Sequence, residues 1–137
     1  MEKIKFKTLP FFLGLLFFLF VPFIVDASTL YISPTTANYS EGDRVSVDIK
    51  ISGNTPLNAA SGVVVFPPEN FSIESISKNK SVFNFWVEEP SFSKTTGTVS
   101  FEGVFISESN LVSGTVLSVN LSAKKSGSGN IVFKSGQ

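Results

Sequence analysis

From Arg44 to Ile51, polar and apolar residues alternate without a break. Val45, Val47, Ile49 and Ile51 fall on one side, and Arg44, Ser46, Asp48 and Lys50 on the other. A period of two marks a strand half buried in a sheet. The rhythm returns at Leu117, Val119, Leu121 and Ala123, with Ser118, Asn120 and Ser122 opposite. Val99, Phe101, Gly103 and Phe105 form a third row. Shorter strands are expected over residues 30–33, 61–66, 71–76, 83–87 and 131–134. Turn-forming stretches separate them: Ser40-Glu41-Gly42-Asp43, Pro67-Pro68-Glu69-Asn70, Thr95-Thr96-Gly97 and Ser126-Gly127-Ser128-Gly129-Asn130. Past residue 27 no stretch holds a helical period over three turns. Eight short strands at this spacing predict an all-β, antiparallel β-sandwich.

The N-terminal segment follows a different pattern. Residues 9–25 carry no charge, and Lys3, Lys5 and Lys7 precede them. A basic start, an apolar run and Val25-Asp26-Ala27 before Ser28 read as a secretory signal peptide over 1–27. The competing reading is a retained anchor. Pro10 and Pro22 would disturb a spanning helix, and no basic cluster follows the run. The expected domain is therefore residues 28–137, secreted or displayed on the cell surface. The membrane is expected to matter only through an uncleaved leader or a C-terminal anchor beyond Gln137.

Composition narrows the chemistry. The chain has no histidine and no cysteine. Ser-His-Asp and Cys-His catalysis are excluded, and so is the commonest zinc ligand. Charge is balanced, with 11 Lys and Arg against 11 Asp and Glu, and no basic stripe points to nucleic acid. Glu88 and Glu89 are neighbours on a predicted strand, so they should point to opposite faces and cannot act as one carboxylate pair. Glu41 and Asp43 flank a turn glycine but fall short of the oxygen ligands that calcium needs. No enzyme activity, metal or cofactor is expected. Of 15 phenylalanines, Phe6, Phe11, Phe12, Phe17, Phe18, Phe20 and Phe23 belong to the leader, and most of the others should fill the core. Asn38, Asn70, Asn79 and Asn120 each open an Asn-x-Ser pattern for glycosylation, which at Asn120 requires an outward-facing side chain.

Taken in order, the features of residues 28–137 resemble a cohesin domain, of the group related to cellulose-binding modules. Leu30-Tyr31-Ile32-Ser33-Pro34 is similar to the family's first short strand. Tyr39-Ser40-Glu41-Gly42-Asp43-Arg44-Val45-Ser46-Val47 is similar to its "G-D" turn and alternating second strand. Residues Leu57 to Phe66 resemble the third strand. Phe66-Pro67-Pro68-Glu69-Asn70-Phe71 resembles the aromatic, Asp-Pro, hydrophobic run that follows, with Pro67 in place of the usual Asp. Phe101-Glu102-Gly103 and Gly114-Thr115-Val116-Leu117 resemble the sixth and eighth strands, and Ile131-Val132-Phe133 the start of the ninth. The resemblance implies a nine-stranded jelly-roll sandwich whose ninth strand pairs with the first. That last strand is cut short here, so the domain is expected to be truncated at its C-terminus. The resemblance also implies a receptor for dockerin modules, which carry calcium loops of their own, or for another surface protein. Related modules bind polysaccharide through planar aromatic strips, in the service of polysaccharide breakdown.

Two surfaces are candidates for binding. If Val64 and Phe66 point inward, Val63 and Val65 point outward, as do Val104 and Ile106 on the strand expected beside them. With Asn58, Ser61, Ser100 and Glu102 around them, they would form an apolar patch suited to a protein partner. This face is the one the resemblance assigns to the third, fifth, sixth and eighth strands. The second surface is Phe83 to Glu88. If Phe83, Phe85 and Val87 face the core, Asn84, Trp86 and Glu88 face out, and Trp86 could stack on a sugar. The opposite parity would put Trp86 in the core. A spacer without a ligand is the third reading, and it would show polar outer faces.

Overall fold

The computed structural model describes residues 28–106, 112–130 and 132–136. The leader assigned to 1–27 lies outside the described residues, as does Ile131. Among the described residues there are ten strands, all antiparallel: β1 (Thr29–Ser33), β2 (Thr36–Tyr39), β3 (Arg44–Ser52), β4 (Ala59–Val65), β5 (Phe71–Ser77), β6 (Phe85–Ser93), β7 (Thr98–Val104), β8 (Ser113–Ala123), β9 (Gly127–Asn130) and β10 (Val132–Gly136). One four-stranded sheet runs β1-β3-β8-β5 and the other β10-β4-β7-β6. Most connections cross from one sheet to the other, the interleaved order of a jelly roll.

The alternation in the sequence builds the core. Val47, Ile49 and Ile51 of β3 and Leu117, Val119 and Leu121 of β8 are almost completely buried, facing Val64 of β4 and Val99 and Phe101 of β7. Phe66 and Phe71, which flank the Pro67-Pro68 turn, are buried at one end. Each such side chain contributes about 1.5–3 kcal/mol by leaving water. A bulge in β8 adds to this layer. Ile49 pairs with Leu117 and Lys50 with Thr115, so Val116 has no partner across the ladder. Val116 and Leu117, although consecutive, are both buried, which a regular strand would forbid.

The β6–β7 turn shows why its glycine is there. Gly97 has φ +65°, and a Cβ on it would sit 2.0 Å from the carbonyl oxygen of Phe66. The Phe66 N–H donates to the Gly97 carbonyl at 2.7 Å, so turn and β4 exit are locked together.

Three expectations need correction. The Ser126–Asn130 stretch, expected as a turn, contains β9, which pairs with β2 over Tyr39–Gly127 to Thr36–Asn130. Pairing overrides the low strand propensity of Gly and Ser there, and Tyr39 is buried against Phe71 with ring centroids 4.6 Å apart. The last strand does not pair with the first. β10 lies beside β4, with Val132 opposite Val65 and Phe133 opposite Val64. After β8 the chain passes through β9 (Gly127–Asn130) and is next described in β10, on the opposite sheet. At about 3.3 Å per residue this length of chain easily spans the ~10 Å between sheets. Third, β6 begins at Phe85, later than expected, and runs on through Pro90 as an edge strand.

Candidate functional site

The outer face of the β10-β4-β7-β6 sheet gathers most of the predicted binding residues, but the strand at 114–117, expected on this face, belongs to β8 and lies in the other sheet between β3 and β5. On β4, Ala60 and Val64 are buried, which turns Ser61, Val63 and Val65 outward and leaves them partly exposed. On β7, Val99 and Phe101 are buried, which turns Ser100, Glu102 and Val104 outward. Register aligns the two rows. Ser61 lies opposite Glu102, Val63 opposite Ser100 and Ala59 opposite Val104. Between Ser61, Glu102 and Val104 the surface dips into a shallow depression of roughly 240 Å³.

β6 completes the face with a different set of residues from the one expected. Phe85 lies opposite Val104 and Glu88 opposite Glu102, so both are on the outer face. Trp86 lies opposite the inward-facing Gly103. It is half-buried, packed against the core and edge-on to Phe83, with centroids 5.8 Å apart and planes at 89°. The alternative that places Trp86 outward as a sugar platform is therefore corrected. The expected parity ran from Phe83, but Phe83 precedes the strand and is buried from the loop. Gly103 supplies the room. A Cβ there would lie 2.7 Å from Phe83 Cδ2 and 3.0 Å from Trp86 Cε3. The Lys78 Nζ stands 5.8 Å from the Trp86 ring centroid, placing a cation where a sugar would stack.

The residues that this parity error missed are Phe85 and Val87, which are 50% and 55% exposed, while Ile106, expected outward, is 64% exposed. Val87 is the extra residue of a bulge, because Trp86 pairs with Gly103 and Glu88 with Glu102. A second bulge lies between Glu88 and Ser91. The signal for Phe85 was Gly103 itself: a strand residue without a side chain, facing inward, invites the largest neighbour to fill the space.

Two predicted residues act as supports at the rim. The Asn84 Oδ1 accepts the Ile106 N–H at 2.8 Å and so holds the end of β7 beside the start of β6. Asn58 is exposed, and its backbone carbonyl accepts the Phe105 N–H at 2.7 Å. Electrostatically the face is acidic. Glu88 and Glu102 oppose each other across the ladder, and among the described residues neither has an ion-pair partner. Glu89 is engaged elsewhere, with Lys78 at 2.6 Å. The Ser91 and Ser100 hydroxyls share a hydrogen bond at 3.0 Å. Asn120, on the other sheet, does face outward, and its amide donates to Ser75 Oγ at 3.0 Å.

No family model matches the chain, and no curated protein matches it. Solved structures do. A cohesin from Clostridium thermocellum, in a type I cohesin–dockerin complex, superposes with a TM-score of 0.62 at 14% identity over 81% of this chain and 84% of its own. The sixth cohesin of scaffoldin B from Acetivibrio cellulolyticus, solved with a Cel5 dockerin mutant, gives 0.59 at 17% identity over 78% and 85%. A type II cohesin domain from the cellulosome of the same organism gives 0.56 at 15% identity over 81% and 75%. The fold of this chain is the cohesin fold.

Proposed function

We propose that this protein is a non-catalytic recognition module of the cohesin kind, which binds a dockerin-type protein partner through the outer face of the β10-β4-β7-β6 sheet. The observation that carries this reading is the set of outward apolar side chains Val63, Val65 and Val104, joined by Phe85 and Ile106. These side chains stand on a sheet face whose opposite side already fills the core. Ser61, Glu102 and Glu88 cross the middle of the face, between Val63 and Val65 at one end and Val104 and Phe85 at the other, so apolar and polar groups are mixed as at a non-obligate protein interface. Similar folds solved in complex with dockerins support the choice of partner. The module works outside the cytoplasmic membrane, carried there by the leader at 1–27, in which Lys3, Lys5 and Lys7 precede the uncharged run 9–25.

The test is surface plasmon resonance of the immobilised chain against a panel of type I and type II dockerins. Binding to a member of the panel is expected, with Val63→Asp weakening it at least tenfold. Binding that ignores Val63→Asp and Val104→Asp would move the interface to another surface. No binding across the panel would remove the dockerin assignment.

A further inference from the structure

The outer face of the β1-β3-β8-β5 sheet holds a groove of roughly 690 Å³, far from the patch described above. Arg44 and Ser46 of β3, Asn120 and Ser122 of β8, and Glu74 and Ser75 of β5 line it. The ladder sets them in two rows: Arg44 lies opposite Ser122, and Ser46 opposite Asn120, which is itself opposite Ser75. β5 has a bulge here. Ile73 pairs with Leu121 and Ser75 with Asn120, so Glu74 is the extra residue. In a regular strand one of two consecutive side chains would turn to the core, whereas Glu74 and Ser75 are both exposed.

Glu74, Ser75, Asn120 and Ser122 are held in place within the protein. Ser122 Oγ donates to Glu74 Oε1 at 2.8 Å, and Lys94 Nζ to Glu74 Oε2 at 3.2 Å. Asn120 Nδ2 donates to Ser75 Oγ at 3.0 Å. A ligand meets side chains that are already ordered, so less freedom is lost on binding. Arg44 forms no ion pair with a described residue. Its planar fork of donors suits a carboxylate held by two parallel bonds. The lining contains no aromatic residue, so flat apolar rings have nothing to stack on. Glu74 calls for hydroxyl donors while Arg44 calls for an acid. Lys94 already neutralises Glu74, so an acid on the Arg44 side meets little repulsion.

We infer that this groove binds a short stretch of acidic polysaccharide, with a uronate carboxylate on Arg44 and sugar hydroxyls on Ser46, Asn120 and Glu74. A sugar acid sets several hydroxyls, each both donor and acceptor, beside its carboxylate, whereas the donors of an acidic peptide are mainly its spaced backbone N–H groups. The site is independent of the proposed protein interface, and failure of either leaves the other standing.

Calorimetric titration of the full chain, in mild detergent, with tetragalacturonate and with cellotetraose tests it. Saturable binding of the uronate is expected. Arg44→Met should weaken it at least tenfold and Arg44→Lys by less, because charge remains but the fork is lost. Asn120→Ala should weaken it several-fold, and Val63→Asp on the opposite sheet should leave it unchanged. Circular dichroism confirms that each variant is folded. Absence of saturable binding at millimolar uronate, equal binding of cellotetraose, or full affinity in Arg44→Met would each overturn the assignment. So would uronate binding that ignores Asn120→Ala and vanishes with modest salt, which is charge pairing without a site.

Discussion

The two outer faces of this sandwich lie on one fold, yet they are chemically unlike. On the β4 and β7 side the outward positions include Val63, Val65 and Val104. On the β3 and β8 side the equivalent positions are Ser46, Asp48, Lys50, Ser118, Asn120 and Ser122. The inner faces are equally apolar, so the need for a core does not explain the contrast. Strand propensity does not explain it either. Valine favours strands wherever they lie, and propensity alone would have placed it on both faces. The polar face shows that the fold closes without outward valine. The proposed contact through the other face is what would account for its valines.

The largest effect should come from inverting the apolar face. Val63→Asp and Val104→Asp, each on the proposed contact surface, should cost about 2 kcal/mol or more in partner affinity, as central interface positions do. Their effect on stability should stay near 0.5 kcal/mol, because both side chains are only partly buried. Ser46→Asp on the polar face should change neither. Affinity from plasmon resonance and melting curves for the three variants check this. An equal loss from Ser46→Asp would erase the distinction between the faces.

Next comes the residue that keeps Trp86 off the contact face. Gly103→Ala places a methyl group 2.7 Å from Phe83 Cδ2. Overpacking of this sort costs about 1–3 kcal/mol. Trp86 should be pushed outward, with a red-shifted emission and easier quenching by iodide. An unshifted emission with unchanged stability would show that Phe83 and Trp86 are loosely packed.

A smaller effect is expected at the acidic pair on the same face. Glu88 and Glu102 are directly opposed, and like charges in that position destabilise a sheet by about 0.2–1 kcal/mol. Glu102→Gln should raise stability by that amount while weakening a basic partner. Denaturant midpoints against affinity measure the two together. A drop in stability would mean that Glu102 is stabilised by something other than the ladder.

How legible the two faces are in the sequence follows from regularity. β3 and β7 alternate, so Val47, Ile49, Val99 and Phe101 could be assigned to the core and Ser100 and Glu102 to the surface from the pattern alone, whereas β4 is apolar at 63, 64 and 65 and its parity stayed conditional until burial decided it. Misreading set in where the period breaks. In β6, two bulges and a late start shift the phase, and Trp86 goes in where alternation from Phe83 sends it out. In β5, the bulge at Glu74 creates a groove that no alternation would suggest. The pairing of β10 with β4 was illegible for another reason. A short terminal strand satisfies its hydrogen bonds equally well on either sheet, and only the path through β9 decides.

The smallest effect concerns charge on the polar face. Hydrogen bonds from Ser122, then from Ser72 and Lys94, and the Lys94 charge hold the Glu74 carboxyl below its ordinary value. A carboxyl depressed in the folded state stabilises the fold when ionised. That contribution is fully present above the ordinary glutamate range and is lost as pH falls through the depressed value. Glu74 lies at the surface, so solvent screens the gain and it is small. The side-chain carboxyl shift of Glu74 followed by NMR across acid pH should titrate below that of the free residue. Ser122→Ala, which removes the leading donor, should move it back upward, and Val63→Asp on the other face should not move it. A Glu74 that titrates normally, or ignores Ser122, would mean that the hydrogen bonds lining the polar groove are not held in solution. The contrast between the faces would then rest on the valines alone.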